Sequence, residues 1–261
     1  MLKTLIKKTL DTIGLDVRRK GSGGQSLDGL QIAIAQLQDA FVQVGGFPLP
    51  PPDLQAHVSG VYEPLFIRHG QEALDNYEKI LAPANRTLCS FQRVLDFGCS
   101  VGRILRAFHY RRVAGQEFYG TDIDVPAIEW CAKNYPFAKF STNQAEPPLE
   151  YPDNFFDFVY ANSVMSHLKE DSQFRWLAEL RRIVKPGGWL ILTFQGSYCL
   201  NYWPLSSEER AKATREGFLF SENAYHTHDY VRREWSRYFE IVELRERSVH
   251  NFQDSALCHV P

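Results

Sequence analysis

The sequence lacks any closely spaced cysteine pair, any apolar run of bilayer length and any surplus of basic charge. Its five cysteines (Cys89, Cys99, Cys131, Cys199 and Cys258) form no C-x-x-C, which argues against a disulfide framework and for thiols in a reducing compartment. With no candidate membrane span and no signal-peptide core at its start, the chain is expected in the cytoplasm. Lys and Arg number 29 against 31 Asp and Glu, a formal net charge of −2, so there is no global basic field to hold nucleic acid. At 261 residues there is material for one large domain, or for a domain with an N-terminal extension.

What the sequence does contain is concentrated in Arg93-Val-Leu-Asp-Phe-Gly-Cys-Ser-Val-Gly-Arg103. A short apolar strand ends near Asp96, turns through Gly98 and Gly102, and opens into the helical run from Ile104 to Phe108. Strand, glycine turn and helix start aim backbone N–H groups and a helix dipole into one crevice. Asp122 ends a second apolar run twenty positions beyond Gly102, the distance at which a βαβ unit grips ribose hydroxyls. An adenosine-containing cofactor is expected. The turn reads Asp96-x-Gly98-x-Ser100-x-Gly102, with a carboxylate where a pyrophosphate would be repelled and a cationic ligand attracted.

On these residues the sequence resembles the class I S-adenosylmethionine-dependent methyltransferases, whose first motif is an apolar pair followed by Asp/Glu-x-Gly-x-Gly-x-Gly. Asp153-Asn-Phe-Phe-Asp-Phe-Val-Tyr160 is similar to the family's fourth strand, and Arg182-Ile-Val-Lys-Pro-Gly-Gly-Trp-Leu-Ile-Leu192 to its turn into the fifth. The resemblance runs from about Phe91 to Val260. It implies S-adenosyl-L-methionine as cofactor and S-adenosyl-L-homocysteine as product. It also implies a doubly wound α/β fold, a seven-stranded Rossmann-like sheet whose last strand is antiparallel. Ser100 departs from the motif's usual glycine, adding bulk and penalising a positive φ.

The order of patterns agrees with that sheet. Strands are expected over 94–97, 118–122, 138–141, 156–161, 189–194, 240–245 and 255–260, with helices near 71–81, 102–110, 125–134, 172–184 and 228–238. The last two strands are close enough to form a hairpin. Residues 1–90 read as an N-terminal helical extension with Gly- and Pro-rich linkers, 91–261 as the methyltransferase domain, and about 195–225 as a lid insertion. In the extension, an amphipathic stretch over 2–17 sets Leu2, Leu5, Ile6, Ile13 and Val17 against six basic residues. It reads either as a helix docking on its own domain or as a contact to a membrane surface or partner. Gly21–Gln25 is a flexible linker, the spacing of Leu30, Ile34, Leu37 and Phe41 fits a core-facing or dimer-packing helix, and Phe47–Pro52 is a stiff extended segment.

Ligands of such sheets lie outside the carboxyl ends of the strands. By position, Gly98, Ser100, Gly102 and Arg103 border the methionine part of the cofactor, with Asp96 near its ammonium. Asp122 faces the ribose and Ile123 flanks the adenine. Asn143 either reads the adenine edge or caps its own loop, and Asn162 ends the fourth strand. His167 is the first candidate base, with a structural or substrate-shaping role as its alternative. Tyr198 and His226 are further catalytic candidates, while Tyr202 and Trp203 read as pocket wall or core. His226 and His228, next to Asp229, sit at a spacing that does not share a helix face, so no metal is expected.

The fourth-strand end has neither the Asp/Asn-Pro-Pro-Tyr loop of nucleic-acid amino-methylation nor the double-glutamate loop suited to arginine. What remains resembles small-molecule methyltransferases of bacterial secondary-metabolite and saccharide pathways, and it implies O-methylation of a hydroxyl or carboxyl on a small molecule or sugar. N-methylation, a cofactor-binding scaffold without chemistry, and a nucleotide-dependent oxidoreductase on a similar sheet stand as alternatives.

Overall fold

The computed structural model of the chain describes residues 46–59 and 66–261. The amphipathic stretch over 2–17, the linker at 21–25 and the helix carrying Leu30 to Phe41 lie outside the described residues. Residues 46–51 are in neither helix nor strand. The compact unit is Pro52–Pro261. It opens with α1 (Pro52–Ser59), whose proline at the first helical position needs no hydrogen-bonded N–H, and α2 (Phe66–Leu81).

Seven strands form one sheet: β1 (Arg93–Phe97), β2 (Glu117–Asp122), β3 (Ala138–Thr142), β4 (Phe156–Ala161), β5 (Val184–Phe194), β8 (Glu240–Val249) and β9 (Gln253–His259). Their spatial order is β3-β2-β1-β4-β5-β9-β8. The first five are mutually parallel, and β9 runs antiparallel to both of its neighbours. Helices α3 (Arg103–His109), α4 (Val125–Asn134), α5 (Glu170–Ile183) and α8 (His228–Trp235) connect them. Between β5 and α8 lie α6 (Ser197–Tyr202), α7 (Ser207–Glu216) and a small hairpin of β6 (Phe218–Phe220) with β7 (Ala224–His226). The expected doubly wound sheet with an antiparallel ending is what the chain forms.

Period-two patterning produces two cores, one on each face. Leu190, Leu192 and Phe194 of β5 join Leu95, Phe97 and Trp176 on one side, and Trp189 and Ile191 join Val94, Phe158 and Phe108 on the other. The second core also takes α2. Its Leu74, Tyr77, Ile80 and Leu81 are buried there, so the helix expected at 71–81 packs on the sheet rather than standing apart from it. Packing on α3 is close: a side chain at Gly70 would meet the Arg103 carbonyl at 2.7 Å. Clamped in this way from both faces, the sheet holds the ends of β1, β2 and β4 level with one another.

Candidate active site

Beyond those strand ends lies a cavity of about 900 Å³. The chain leaves β1 with Gly98 at φ 79° and Ser100 at φ 46°, and Gly102, at φ 68°, is the residue before α3. The N–H groups of Gly98 and Cys99 donate to the Thr121 carbonyl at 2.8 and 3.1 Å. Ser100 N–H donates to Asp122 Oδ2 at 2.7 Å, and Asp124 N–H to Asp122 Oδ1 at 3.0 Å. The acid that ends β2 therefore anchors the turn that ends β1. Each of its oxygens keeps a second lone pair, as a ribose diol would need. A Cβ on Gly98 would collide with Val164 Cγ2, so only glycine lets the loop after β4 close on this turn. The left-handed conformation expected to burden Ser100 is present, and its buried hydroxyl has no hydrogen-bond partner among the described residues.

Asp96 is 2% exposed and lines the cavity. Burial first, and the nearby Asp122 carboxylate after it, push its carboxyl well above the usual carboxylate range; the Tyr160 hydroxyl and then Arg103 act in the opposite direction. A cationic ligand would relieve that burden and an anionic one would add to it. Ile123, 62% exposed, offers apolar surface at the same cavity. Taken together, the glycine cradle, the diol-ready carboxylate, the buried acid and the apolar flank fit an adenosyl sulfonium ligand.

The remaining expected residues fall into two groups. Asn143, Asn162, Arg103 and His167 line the cavity with Asp96, Gly98, Ser100, Asp122 and Ile123. Asn143 also caps its loop: its Oδ1 accepts from Thr121 Oγ1 at 2.9 Å and its Nδ2 donates to the Gln144 carbonyl at 2.7 Å. Asn162 Oδ1 accepts from the Tyr77 hydroxyl at 3.3 Å. His167 closes a short 3₁₀ turn, Met165–His167, and surrounding protein lowers its pKa by desolvation although its ring is exposed. Its imidazole is neutral near pH 7.

Gly102, Tyr198 and His226 do not line the cavity, which corrects their expected place in it; a side chain on Gly102 would meet Tyr135 and Cys131 instead. Tyr198 packs outside, with Arg247 over its ring at 4.1 Å and Phe252 edge-on at 5.8 Å. Tyr202 and Trp203 stand edge-on against the same Phe252, and it is Phe252 that faces the cavity. His226 is 2% exposed, and its Nε2 lies 2.9 Å from Gln173 Oε1. Gln173 Nε2 already donates to the carbonyls of Met165 and Leu168, so its Oε1 must accept and His226 must carry the proton on Nε2. Burial holds the ring neutral, with its pKa pushed down to about 3. His226 thus braces the turn that presents His167.

Several cavity residues gave no signal in the sequence. His57 of α1 reaches Asp124 Oδ2 with Nδ1 at 2.5 Å. Ser163, Phe252 and Gln253 arrive from the end of β4 and from the β8–β9 hairpin. Glu146, with its carboxyl held down at about 2 by Arg175 and Ser172, borders the end of the cavity near β3. Gly120 had a local signal only in being a glycine inside a strand. A side chain there would meet Cys99 Sγ, Leu105 Cδ1 and Phe140 Cδ1 at 2.9 Å.

Residues 95–192 match the family described as the methyltransferase domain. Among solved structures, the chain is similar to a protein of Pyrococcus horikoshii at 19% identity and a TM-score of 0.55, covering 76% of this chain and 96% of that one. A SAM-dependent methyltransferase from Aquifex aeolicus gives 16% identity and a TM-score of 0.55, with coverage of 82% and 100%. A putative methyltransferase of Haloferax volcanii, solved with the Trm112 methyltransferase activator, gives 13%, 0.55, 82% and 99%. At these identities the structures establish the fold alone. Residues 95–192 match a methyltransferase domain that lies on this Rossmann-like sheet, and the cofactor this match indicates is S-adenosylmethionine.

Proposed function

We propose that the protein transfers the methyl group of S-adenosylmethionine to an oxygen, hydroxyl or carboxyl, of a small molecule or sugar. The observation that carries this reading is the neutral imidazole of His167, set on the cavity by a braced turn next to the end of β4. The cofactor supplies a carbon already activated by its sulfonium, which leaves the protein to align the acceptor and to take a proton where one is lost. Asp122 would hold the ribose, Gly98 and the turn through Ser100 would admit the methionine part, and Asp96 would balance its cationic charge. When bound, the cofactor would supply the methyl group to an acceptor hydroxyl, and His167 would take the proton that the hydroxyl gives up. A carboxylate acceptor needs no base, only alignment. Residues 195–225 contribute a wall more than reacting groups, since Tyr198, Tyr202 and Trp203 stand behind Phe252. The size of the cavity, at the upper end for small-ligand sites, suits a cofactor together with a small acceptor.

The test is calorimetry with S-adenosylmethionine, followed by acceptor pools sorted into hydroxyl, carboxyl and amine compounds. S-Adenosylhomocysteine release with a product heavier by one methylene in the hydroxyl or carboxyl pool is the expected result. Turnover in the amine pool alone would replace this reading with N-methylation. Cofactor binding without turnover in any pool would leave a scaffold.

A further inference from the structure

The order of the strands gives the cavity a direction. Asp122 ends β2, and Gln253 begins β9 on the same edge of the sheet because β9 runs antiparallel. Strands β1, β4 and β5 stand between them, four steps of roughly 4.8 Å each, or about 19 Å. A ligand with its ribose on Asp122 and its amino-acid part on the β1 turn has crossed only the first of those steps. The cavity continues past it to Ser163, Phe252 and Gln253. That far end belongs to whatever receives the methyl group.

A hydrogen-bond circuit prepares this end. Ser163 sits at φ 66°, a region that L side chains seldom occupy. Its N–H donates to Thr193 Oγ1 at 2.7 Å, and the Ser166 hydroxyl donates to its carbonyl at 2.8 Å. Thr193 is fully buried, and its hydroxyl proton goes to Gln253 Oε1 at 2.7 Å. That bond sets the amide of Gln253, because the flipped amide would leave a buried hydroxyl proton without an acceptor. Nε2 then donates one hydrogen to Ser163 Oγ at 2.8 Å. Its second hydrogen is engaged in no bond with the described residues, at a side chain that lines the cavity.

We infer that Gln253 is a positioning residue for the methyl acceptor, its second Nε2–H donating to an oxygen at or beside the atom methylated. The acceptor class this selects carries an oxygen lone pair there: a hydroxyl, carboxylate or carbonyl. The inference rests on the methyl-transfer reading and sharpens it. Gln253→Glu separates the role from a structural one. A carboxylate still accepts from Thr193, and the Ser163 hydroxyl, which accepts from Gln253, can turn to donate to it, so the circuit and the fold persist while the donor to the cavity disappears.

Two measurements test it. In a crystal structure of the full chain with S-adenosylhomocysteine, Gln253 Nε2 should lie on the open side of the sulfur, with an ordered water on its second hydrogen. An Nε2 on the adenine side, or screened from the sulfur by protein, overturns the inference. With an acceptor from the pools above, Gln253→Glu should raise the acceptor KM about tenfold, while S-adenosylhomocysteine affinity stays within about twofold. An unchanged KM, or a parallel loss of cofactor affinity, also overturns it. A wild-type protein that binds no S-adenosylmethionine defeats the transfer reading itself, and the crystal position of Gln253 decides the inference if cofactor binds but no acceptor is turned over.

Discussion

Two residues at the end of β1 and in the turn after it carry different burdens. Ser100 holds φ 46° with a buried hydroxyl that bonds to none of the described residues, so both its backbone and its side chain cost stability. Glycine would relieve the conformational cost of about 1–2 kcal/mol and the stranded hydroxyl, offset by about 0.5–1 kcal/mol of extra chain entropy on unfolding. Ser100→Gly should therefore stabilise the fold by about 1 kcal/mol, read from urea unfolding, and Ser100→Val should destabilise it. Asp96 is burdened electrostatically. Its raised pKa means the unliganded pocket favours the protonated acid, whereas a bound ammonium and sulfonium favour the carboxylate. Binding of S-adenosylmethionine should thus release protons, and affinity should climb with pH until Asp96 is ionised in the free protein. Calorimetry in buffers of different ionisation enthalpy measures that release, and Asp96→Asn should abolish it.

At the scale of elements, the loop after β4 is held from two directions. Val164 closes on Gly98, and the Gln173–His226 pair clamps the 3₁₀ turn behind it. Gly98→Ala meets both a positive φ and Val164, and it should weaken S-adenosylhomocysteine binding by at least about tenfold while the sheet still folds. The His226 clamp has a pH signature. Its folded pKa of about 3 lies below the ordinary 6.5 of an unfolded histidine, so the unfolded chain binds more protons between those values. The contribution is fully present above about pH 6.5 and is lost as the pH falls towards 3, at up to ~1.4 kcal/mol per pH unit. Urea unfolding at stepped pH should show wild type losing stability faster than His226→Gln over that window. The same substitution should lower kcat through His167.

Across the molecule, what was legible in the sequence was local. Val94, Leu95 and Phe97 alternate between two cores, and Gly98, Gly102 and Asp122 keep a spacing set by one strand, one helix and the next strand. His226 was placed wrongly because its neighbours in sequence say nothing of Gln173, fifty-three positions away. His57, Ser163 and Gln253 went unread for the same reason: their partners Asp124 and Thr193, and Ser163's partner Gln253, lie at separations of 67, 30 and 90 residues. No periodicity encodes such contacts; the topology makes them.

That convergence is itself testable. Segments from α1 through the β8–β9 hairpin meet at one cavity, so ligand binding should couple them. At a hundredfold excess over Kd, S-adenosylhomocysteine should add about 2.7 kcal/mol, raising Tm by roughly 5–10 °C in a unit of this size. Hydrogen exchange should then slow in the β1 turn and at Asp122, where the ligand binds, and around His57, which is tied to Asp124 beside it. The hairpin from Val249 to Gln253 should change less, because it borders the acceptor end. Full protection there with the nucleoside product alone would mean that the cofactor spans the whole cavity and that the far end is not reserved for an acceptor.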